Sequence, residues 1–146
     1  MARVLVVDDD PYIRQLCAIN LKLDGHDVEL AADGEIALEK AASDPPDAVL
    51  LDVMMPRLSG WEVAARLMEN ETTRRIPVVF LTARTDVRDQ LRGFELGAID
   101  YVTKPFDPAS LGSILDKALQ RAGRPEAEEV RAQRIARLRS MAAMSD

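Results

Sequence analysis

Four short apolar segments of this sequence each end in residues that could take part in chemistry. One segment ends in three consecutive aspartates, Asp8 to Asp10, and another ends in Asp52. The other two end in Thr82-Ala83 and in Thr103-Lys104-Pro105. Carboxylate, hydroxyl and ammonium groups therefore recur at the same type of position along the chain.

These groups suit a site for a divalent cation and a phosphoryl group. Adjacent carboxylates repel one another and need a positive partner, and hard oxygen ligands suit Mg²⁺, which is commonly shared with phosphate oxygens. A carboxylate such as Asp52, beside a metal ion and Lys104, can be a nucleophile that forms an acyl phosphate. The cation and the lysine would then neutralise charge on the transferring group. Asp10 precedes Pro11, and we interpret it as a helix N-cap rather than a ligand.

The segments that position these groups alternate between apolar runs and stretches of helical period. The predicted strands are VLVV (4–7), DVEL (27–30), AVLL (48–51), VVFL (78–81) and YV (101–102). Apolar residues at helical spacing follow each of them. Five βα units predict an α/β fold with a doubly wound parallel sheet, whose functional crevice lies at the carboxyl ends of the strands.

Turn and capping residues predict where the helices begin and end. Asp107-Pro108 is expected to start the last helix of the sheet domain, as Asp10-Pro11 starts the first. Gly25, Gly97 and Gly123 are expected to follow helix ends. His26 comes directly after Gly25, and we expect it to be exposed in that turn.

Composition places the chain among small acidic domains. Its 146 residues fit one domain with a short appendage, and the net charge of -6 argues against nonspecific nucleic-acid binding. No apolar run approaches the ~20 residues of a membrane span, and the N-terminus lacks a signal-peptide pattern. Cys17 is the single cysteine, which excludes a disulfide framework and favours a reducing cytoplasm.

Four sequence blocks resemble the receiver domain of two-component response regulators, the CheY-like superfamily. The blocks are VVDDD, LLDVMMPRLSG, LTA and DYVTKPF, in that order and spacing, across about residues 2 to 122. The resemblance implies a flavodoxin-like five-stranded parallel sheet with strand order 2-1-3-4-5 and helices on both faces. It also implies phosphorelay signalling, in which a sensor histidine kinase or phosphotransfer protein donates a phosphoryl group and a downstream protein effector reads the change.

The resemblance implies a phosphoacceptor and a metal site. Asp52 would accept the phosphoryl group in a Mg²⁺-dependent reaction. Asp8 and Asp9 match the acidic pair, with Asp9 the more direct Mg²⁺ ligand. Asp52 and the backbone carbonyl of Met54 would complete the protein ligands.

It further implies phosphate contacts and a switch. Thr82 would hydrogen-bond one phosphoryl oxygen, and Lys104 would pair with another. Tyr101 matches an aromatic switch whose ring turns inward as Thr82 moves toward the phosphate. The peptide bond between Lys104 and Pro105 would be cis.

Two other classes compete with this interpretation. A phosphatase of the haloacid dehalogenase type needs a second aspartate two residues after the nucleophile, and Met54 occupies that position. A phosphate-independent binding scaffold is disfavoured by the complete set of Asp9, Asp52, Thr82 and Lys104. We therefore expect a signalling domain rather than an enzyme. Slow self-phosphorylation from small donors and self-dephosphorylation stay open, with Met54 and Arg84 flanking the path of the attacking water.

The domain boundary is placed after residue 123. Residues 1–123 would form the receiver domain, and 124–146 a helical tail or linker without an output domain. The tail could be a solvated helix, a partner-docking helix or the front of a longer regulator cut at a linker. A homodimer through residues 86–121 is a further hypothesis, and we expect neither membrane binding nor direct nucleic-acid binding by this chain.

Overall fold

The computed structural model describes residues 2–83, 86–122, 124 and 126–144. The strands are β1 (Arg3–Val7), β2 (Asp27–Ala31), β3 (Ala48–Asp52), β4 (Val78–Thr82) and β5 (Asp100–Thr103). The α-helices are α1 (Pro11–Leu23), α2 (Gly34–Ser43), α3 (Gly60–Glu69), α4 (Val87–Glu95), α5 (Leu111–Ala122) and α6 (Ala127–Met144), and a 3₁₀ turn covers Pro108–Ser110. All five predicted strands are present, and each extends beyond the predicted run by one residue at one end or, for β5, at both ends.

The strands form one parallel sheet in the order β2-β1-β3-β4-β5, which confirms the predicted fold. Every residue of β3 and β4 is buried, because helices cover both faces of the central strands. Residues of α2, α3 and α4 pack on one face around Phe80, and residues of α1 and α5 pack on the other around Leu50. The continuous apolar runs of the sequence are explained by this two-sided burial.

Aspartate caps begin the helices at the predicted places. The Asp10 side chain accepts a hydrogen bond from the backbone N–H of Tyr12 at 2.9 Å, and Pro11 is the first helical residue. Asp107 caps in the same way, but it caps the 3₁₀ turn, and α5 proper begins at Leu111. Asp10 is therefore occupied as a cap, as its position before proline predicts.

Glycines with positive φ follow two helix ends. Gly25 has φ +88° directly after the C-cap of α1, and Gly97 has φ +93° directly after the C-cap of α4. Both conformations suit glycine, which confirms these two predicted ends. Gly123 lies outside the described residues.

His26 is buried, so the expectation that it would be exposed was wrong. Only 5% of its surface is accessible, and its Nδ1 accepts a hydrogen bond from the backbone N–H of Ala2 at 3.1 Å. Its Nε2 lies 3.2 Å from Asp116 Oδ1 of α5. The imidazole thus lies between the start of β1 and α5, and its Nδ1 has a hydrogen-bond partner, whereas its buried Nε2 makes no hydrogen bond with any described residue.

The C-terminal helix α6 lies along α4. Ile135 and Leu138 of α6 pack against the apolar core on that side of the sheet. Arg139 pairs with Glu95 at 2.8 Å. The helix thus rests on the surface of the sheet domain in this structure.

No helix within the described ranges is long and apolar enough to cross a membrane.

Candidate functional site

The polar residues singled out in the sequence meet at one edge of the sheet. Asp8 directly follows β1, Asp52 ends β3, Thr82 ends β4 and Lys104 directly follows β5. Because the strands are parallel and paired in register, their carboxyl ends lie side by side. The sheet itself therefore assembles the site from four separate segments of the chain.

Three carboxylates converge closely enough to hold one cation. Asp8, Asp9 and Asp52 each offer a carboxylate oxygen, and these oxygens lie within 4.8 Å of one another. Asp8 and Asp52 are 1% and 4% exposed, whereas Asp9 is exposed on the solvent side. Three oxygen ligands with an open side fit Mg²⁺, which usually keeps several waters.

Lys104 reaches into the carboxylate cluster. Its Nζ donates to Asp8 Oδ2 at 3.0 Å and to Asp52 Oδ1 at 3.4 Å. The residue is held in place by its backbone N–H, which donates to the Thr82 carbonyl at 2.8 Å. The peptide bond between Lys104 and Pro105 is cis, in agreement with the family pattern.

The electrostatics of the cluster raise the pKa of Asp52 from 3.8 to about 6. Burial is the largest cause, the negative charge of Asp8 adds to it, and Lys104 opposes both. Burial lowers the pKa of Lys104, but Asp52 and Asp8 outweigh this and raise it above its ordinary value. The lysine is thus held charged beside a carboxylate whose negative charge is costly, an arrangement that favours binding of a further cation.

The loop after β3 is anchored against the phosphoacceptor candidate. A Cβ on Gly60 would lie 2.2 Å from the Asp52 carbonyl oxygen, so the start of α3 touches the end of β3. The Gly60 N–H donates to the Val53 carbonyl at 2.9 Å. Ser59 and Glu62 form a capping box that fixes this start of α3.

Sequence reasoning missed two residues that support the site. Gly60 was not singled out, although its place after Ser59 at the start of a helix was a readable signal. Arg14 was also missed: its NH1 group donates to the Asp8 carbonyl at 2.8 Å from α1. Its position one turn into α1 gives no sequence signal for that contact.

The Met54 side chain is 57% exposed in the loop, while Met55 beside it is buried. A backbone carbonyl ligand from Met54 stays a prediction. Arg84, expected near the path of the attacking water, lies outside the described residues.

Aromatic rings connect α3 to β5 on the side of the sheet that faces α4. The Trp61 and Phe80 ring centroids are 5.0 Å apart, and those of Phe80 and Tyr101 are 6.2 Å apart. Trp61 is buried and Tyr101 is half-buried. Thr82 is fully buried at the end of β4, two residues beyond Phe80.

Comparison with known protein families shows which family the chain belongs to. Residues 4–116 match the family model described as the response regulator receiver domain. The chain belongs to this family. Its fold is therefore that of a receiver domain of two-component response regulators.

The similar proteins are response regulators. The chain is 42% identical over 124 residues to the DNA-binding dual master transcriptional regulator RpaA of Synechocystis, across 85% of this chain and 52% of RpaA. It is 43% identical over 136 residues to response regulator MprA of Mycobacterium tuberculosis, across 93% of this chain and 58% of MprA. The chain thus spans about half the length of the curated relatives it matches.

Solved structures give the same result. Chemotaxis protein CheY4 of Vibrio cholerae is 36% identical with a TM-score of 0.77, and the match covers 81% of this chain and 98% of that structure. A receiver domain of DrrB activated with BeF3 is also 36% identical, with a TM-score of 0.73 across 82% of this chain and 98% of that structure. Both matches cover nearly the whole of the other structure, so the receiver domain accounts for the shared fold.

Proposed function

We propose that this receiver domain accepts a phosphoryl group on Asp52 in a Mg²⁺-dependent reaction. The observation that supports this most strongly is the convergence of the Asp8, Asp9 and Asp52 carboxylates within 4.8 Å beside the Lys104 ammonium group. The donor we propose is a sensor histidine kinase or a phosphotransfer protein. A downstream protein effector would read the switched surface.

The residues divide the chemistry among them. A carboxylate oxygen of Asp52 attacks phosphorus, the new bond is an acyl phosphate, and the bond from phosphorus to the donor nitrogen breaks with the electron pair leaving on that nitrogen. Bound Mg²⁺, held by Asp8, Asp9, Asp52 and the Met54 carbonyl, would neutralise developing charge on the phosphoryl oxygens. Lys104 pairs with another of these oxygens, and the Thr82 hydroxyl donates to a third.

The raised pKa of Asp52 fits a nucleophile that is active when its cation is bound. Without a cation, burial keeps the pKa of Asp52 at about 6, so the carboxylate is partly protonated in mild acid. A divalent cation beside it favours the ionised form, which is the form that attacks phosphorus. Metal binding and ionisation of Asp52 would therefore favour each other in this site.

Intact-protein mass spectrometry after incubation with acetyl phosphate tests the proposal. We expect one phosphate adduct that requires both Mg²⁺ and Asp52, and that is lost in Asp52→Asn and strongly reduced in Asp9→Asn. Asp27→Asn is the matched control, because Asp27 is exposed and lies at the opposite end of the sheet. An adduct that persists in Asp52→Asn would contradict the proposal.

Two assays separate the competing functions. An aspartate-based phosphatase would turn over p-nitrophenyl phosphate, which we expect this protein not to do, because a methionine thioether cannot transfer a proton at position 54. A phosphate-independent scaffold would give no adduct with or without Mg²⁺. A homodimer through residues 86–121 stays a proposal, which the elution volume of the phosphorylated protein would test.

A further inference from the structure

A cavity of about 540 Å³ lies at the junction of α5 and α6. Ile99, which lines it, directly precedes β5, whereas Lys104 directly follows that strand, so the cavity and the carboxylate cluster lie at opposite edges of the sheet. No described residue of the candidate functional site lines this cavity. Its volume falls within the ~300–1,000 Å³ that is typical of small-molecule sites.

Part of the cavity wall is apolar. Phe94 of α4 is buried and Ile99 is half-buried, and both line the cavity together with Val130 of α6. Ala127 lies three residues before Val130, which places the two on the same side of the helix. The Val130 side chain is 42% exposed beside this wall, so an apolar ligand that covered it would remove its surface from water.

The charged residues that line the cavity are mostly positive. Among the described residues they are four arginines and one glutamate, Glu126. Two of the arginines have carboxylate partners outside the lining: Arg121 pairs with Asp100 at 2.9 Å, and Arg131 pairs with Glu128. These partners balance two of the four positive charges.

The other two arginines, Arg124 and Arg134, form no ion pair within the part of the chain that the structure describes. The Arg134 guanidinium lies 5.4 Å from the centre of the Phe94 ring, and its NH1 donates to the Ile99 carbonyl at 3.3 Å. That hydrogen bond uses one of the five N–H groups of the guanidinium. A guanidinium group beside an apolar wall suits a carboxylate, which it can bind through two parallel hydrogen bonds.

Arg121 contributes a further donor. Its Nε is buried and has no hydrogen-bond partner among the described residues, although the NH2 group of the same side chain donates to Asp100. A buried donor without an acceptor is unfavourable, and such a group in a folded protein calls for an explanation. An anionic ligand beside Arg121 would supply the acceptor.

We propose that this cavity binds a small organic carboxylate with an apolar body. The carboxylate group accepts hydrogen bonds from Arg124 and Arg134, and the apolar body covers Val130 and lies against Phe94. The chain as a whole carries a net charge of -6, so the local excess of arginine is specific to this region. Such binding is independent of the phosphoacceptor function, because the ligand touches no residue of the carboxylate cluster.

Titration calorimetry of the full chain with three probes tests the proposal. 2-Naphthoate and octanoate carry a carboxylate on an aromatic and on an aliphatic body, and 2-naphthol is the neutral counterpart of the first. We expect at least one of the two carboxylates to bind one-to-one with a dissociation constant of about 1 mM or lower. We expect 2-naphthol to bind about tenfold more weakly than 2-naphthoate, because it lacks the charge that the arginines recognise.

Three variants locate the site on the chain. Arg124→Gln and Arg134→Gln should each raise the dissociation constant about tenfold, which corresponds to the loss of one charge-assisted hydrogen bond. Arg137→Gln is the matched control, because it makes the same change of charge on α6 at an exposed residue outside the cavity lining. Arg124 is exposed and its side chain contacts no described residue through a hydrogen bond or ion pair, so Arg124→Gln tests the site without loosening α6.

Amide chemical shifts of the ¹⁵N-labelled chain give the position of the bound probe, and we expect the largest changes at Ile99 and Val130. Failure of both carboxylates to saturate the protein at about 1 mM, or equal affinity for 2-naphthol and 2-naphthoate, would overturn the proposal. Equal weakening in Arg124→Gln and Arg137→Gln would overturn it too, because the effect would then come from net charge. Largest shift changes at the carboxylate cluster would place the ligand at another site and would also overturn it.

Discussion

The Lys104 ammonium group bridges two buried carboxylates, at 3.0 Å from Asp8 Oδ2 and 3.4 Å from Asp52 Oδ1. Asp8 and Asp52 come from separate strands, so this one side chain ties the ends of β1, β3 and β5 together. In the absence of a cation it is the positive charge in closest contact with the pair among the described residues.

Replacement of Lys104 by methionine should destabilise the protein at pH 7. Asp8 and Asp52 would then face each other in a buried site without their shared cation. We expect a loss of about 2 kcal/mol in the free energy of unfolding, below the ~3–5 kcal/mol of a fully buried pair because Lys104 keeps some solvent exposure. Urea unfolding in the presence of a metal chelator measures this loss in the free energy of unfolding. The matched control is Lys117→Met on the exposed side of α5, for which we expect little change; equal effects of the two substitutions would refute the bridging role.

Replacement of Asp52 by asparagine should stabilise the metal-free protein at pH 7. The pKa of Asp52 is raised from 3.8 to about 6, so the folded state binds more protons than the unfolded state between these values. The contribution of protonated Asp52 to the free energy of unfolding is therefore fully present below about pH 4, and it is lost as the pH rises through about 6. We expect the free energy of unfolding of Asp52→Asn to exceed that of the natural sequence by about 1–3 kcal/mol at pH 7. At pH 4 we expect the two free energies to be nearly equal.

Urea unfolding at pH 4 and pH 7, again with chelator, checks this difference. Added Mg²⁺ should raise the stability of the natural sequence and narrow its gap to Asp52→Asn, because the cation binds the folded carboxylates. A gap that does not change between pH 4 and pH 7 would show that the charge of Asp52 is not the cause.

Replacement of Gly60 by alanine should damage both stability and phosphorylation. The new Cβ would lie 2.2 Å from the Asp52 carbonyl oxygen and 2.8 Å from the Val53 Cα, so the loop or the end of β3 must move. We expect a loss of about 1–3 kcal/mol from overpacking, and slower adduct formation with acetyl phosphate. Gly25→Ala is the control: its Cβ meets nothing within 4 Å, but its φ of +88° is strained for alanine. Gly25→Ala should lower the free energy of unfolding by about 1–2 kcal/mol and leave the phosphorylation rate unchanged. If both variants slowed phosphorylation equally, the effect of Gly60→Ala would come from general destabilisation and not from its contact with Asp52.

The sheet and the placement of the site could be predicted from the sequence because burial leaves a direct pattern. β3 and β4 are covered on both faces, so AVLL and VVFL are apolar without alternation. Parallel strands bring their carboxyl ends to one edge, which places Asp52 and Thr82 together once the strands are recognised.

Contacts between segments that are far apart in the chain give no such pattern in the sequence. His26 follows a turn glycine, which is typical of an exposed residue, and its burial depends on Ala2 and Asp116, far away in sequence. The position of α6 on the sheet domain could not be predicted from the sequence either. Its apolar contacts with the core come from two side chains, Ile135 and Leu138, which are too few to give a clear pattern. Gly60 had a local signal as a helix start, but its contact with the Asp52 carbonyl depends on the fold of the intervening loop.

The most direct test of the central claim locates the phosphoryl group on the chain. Borohydride reduces an aspartyl acyl phosphate to homoserine, which tandem mass spectrometry identifies at a single position. After treatment with acetyl phosphate and Mg²⁺, we expect homoserine at position 52, and none when Mg²⁺ is replaced by chelator. Homoserine at another aspartate, or a phosphate adduct that yields none at position 52, would contradict the assignment of Asp52 as the phosphoacceptor.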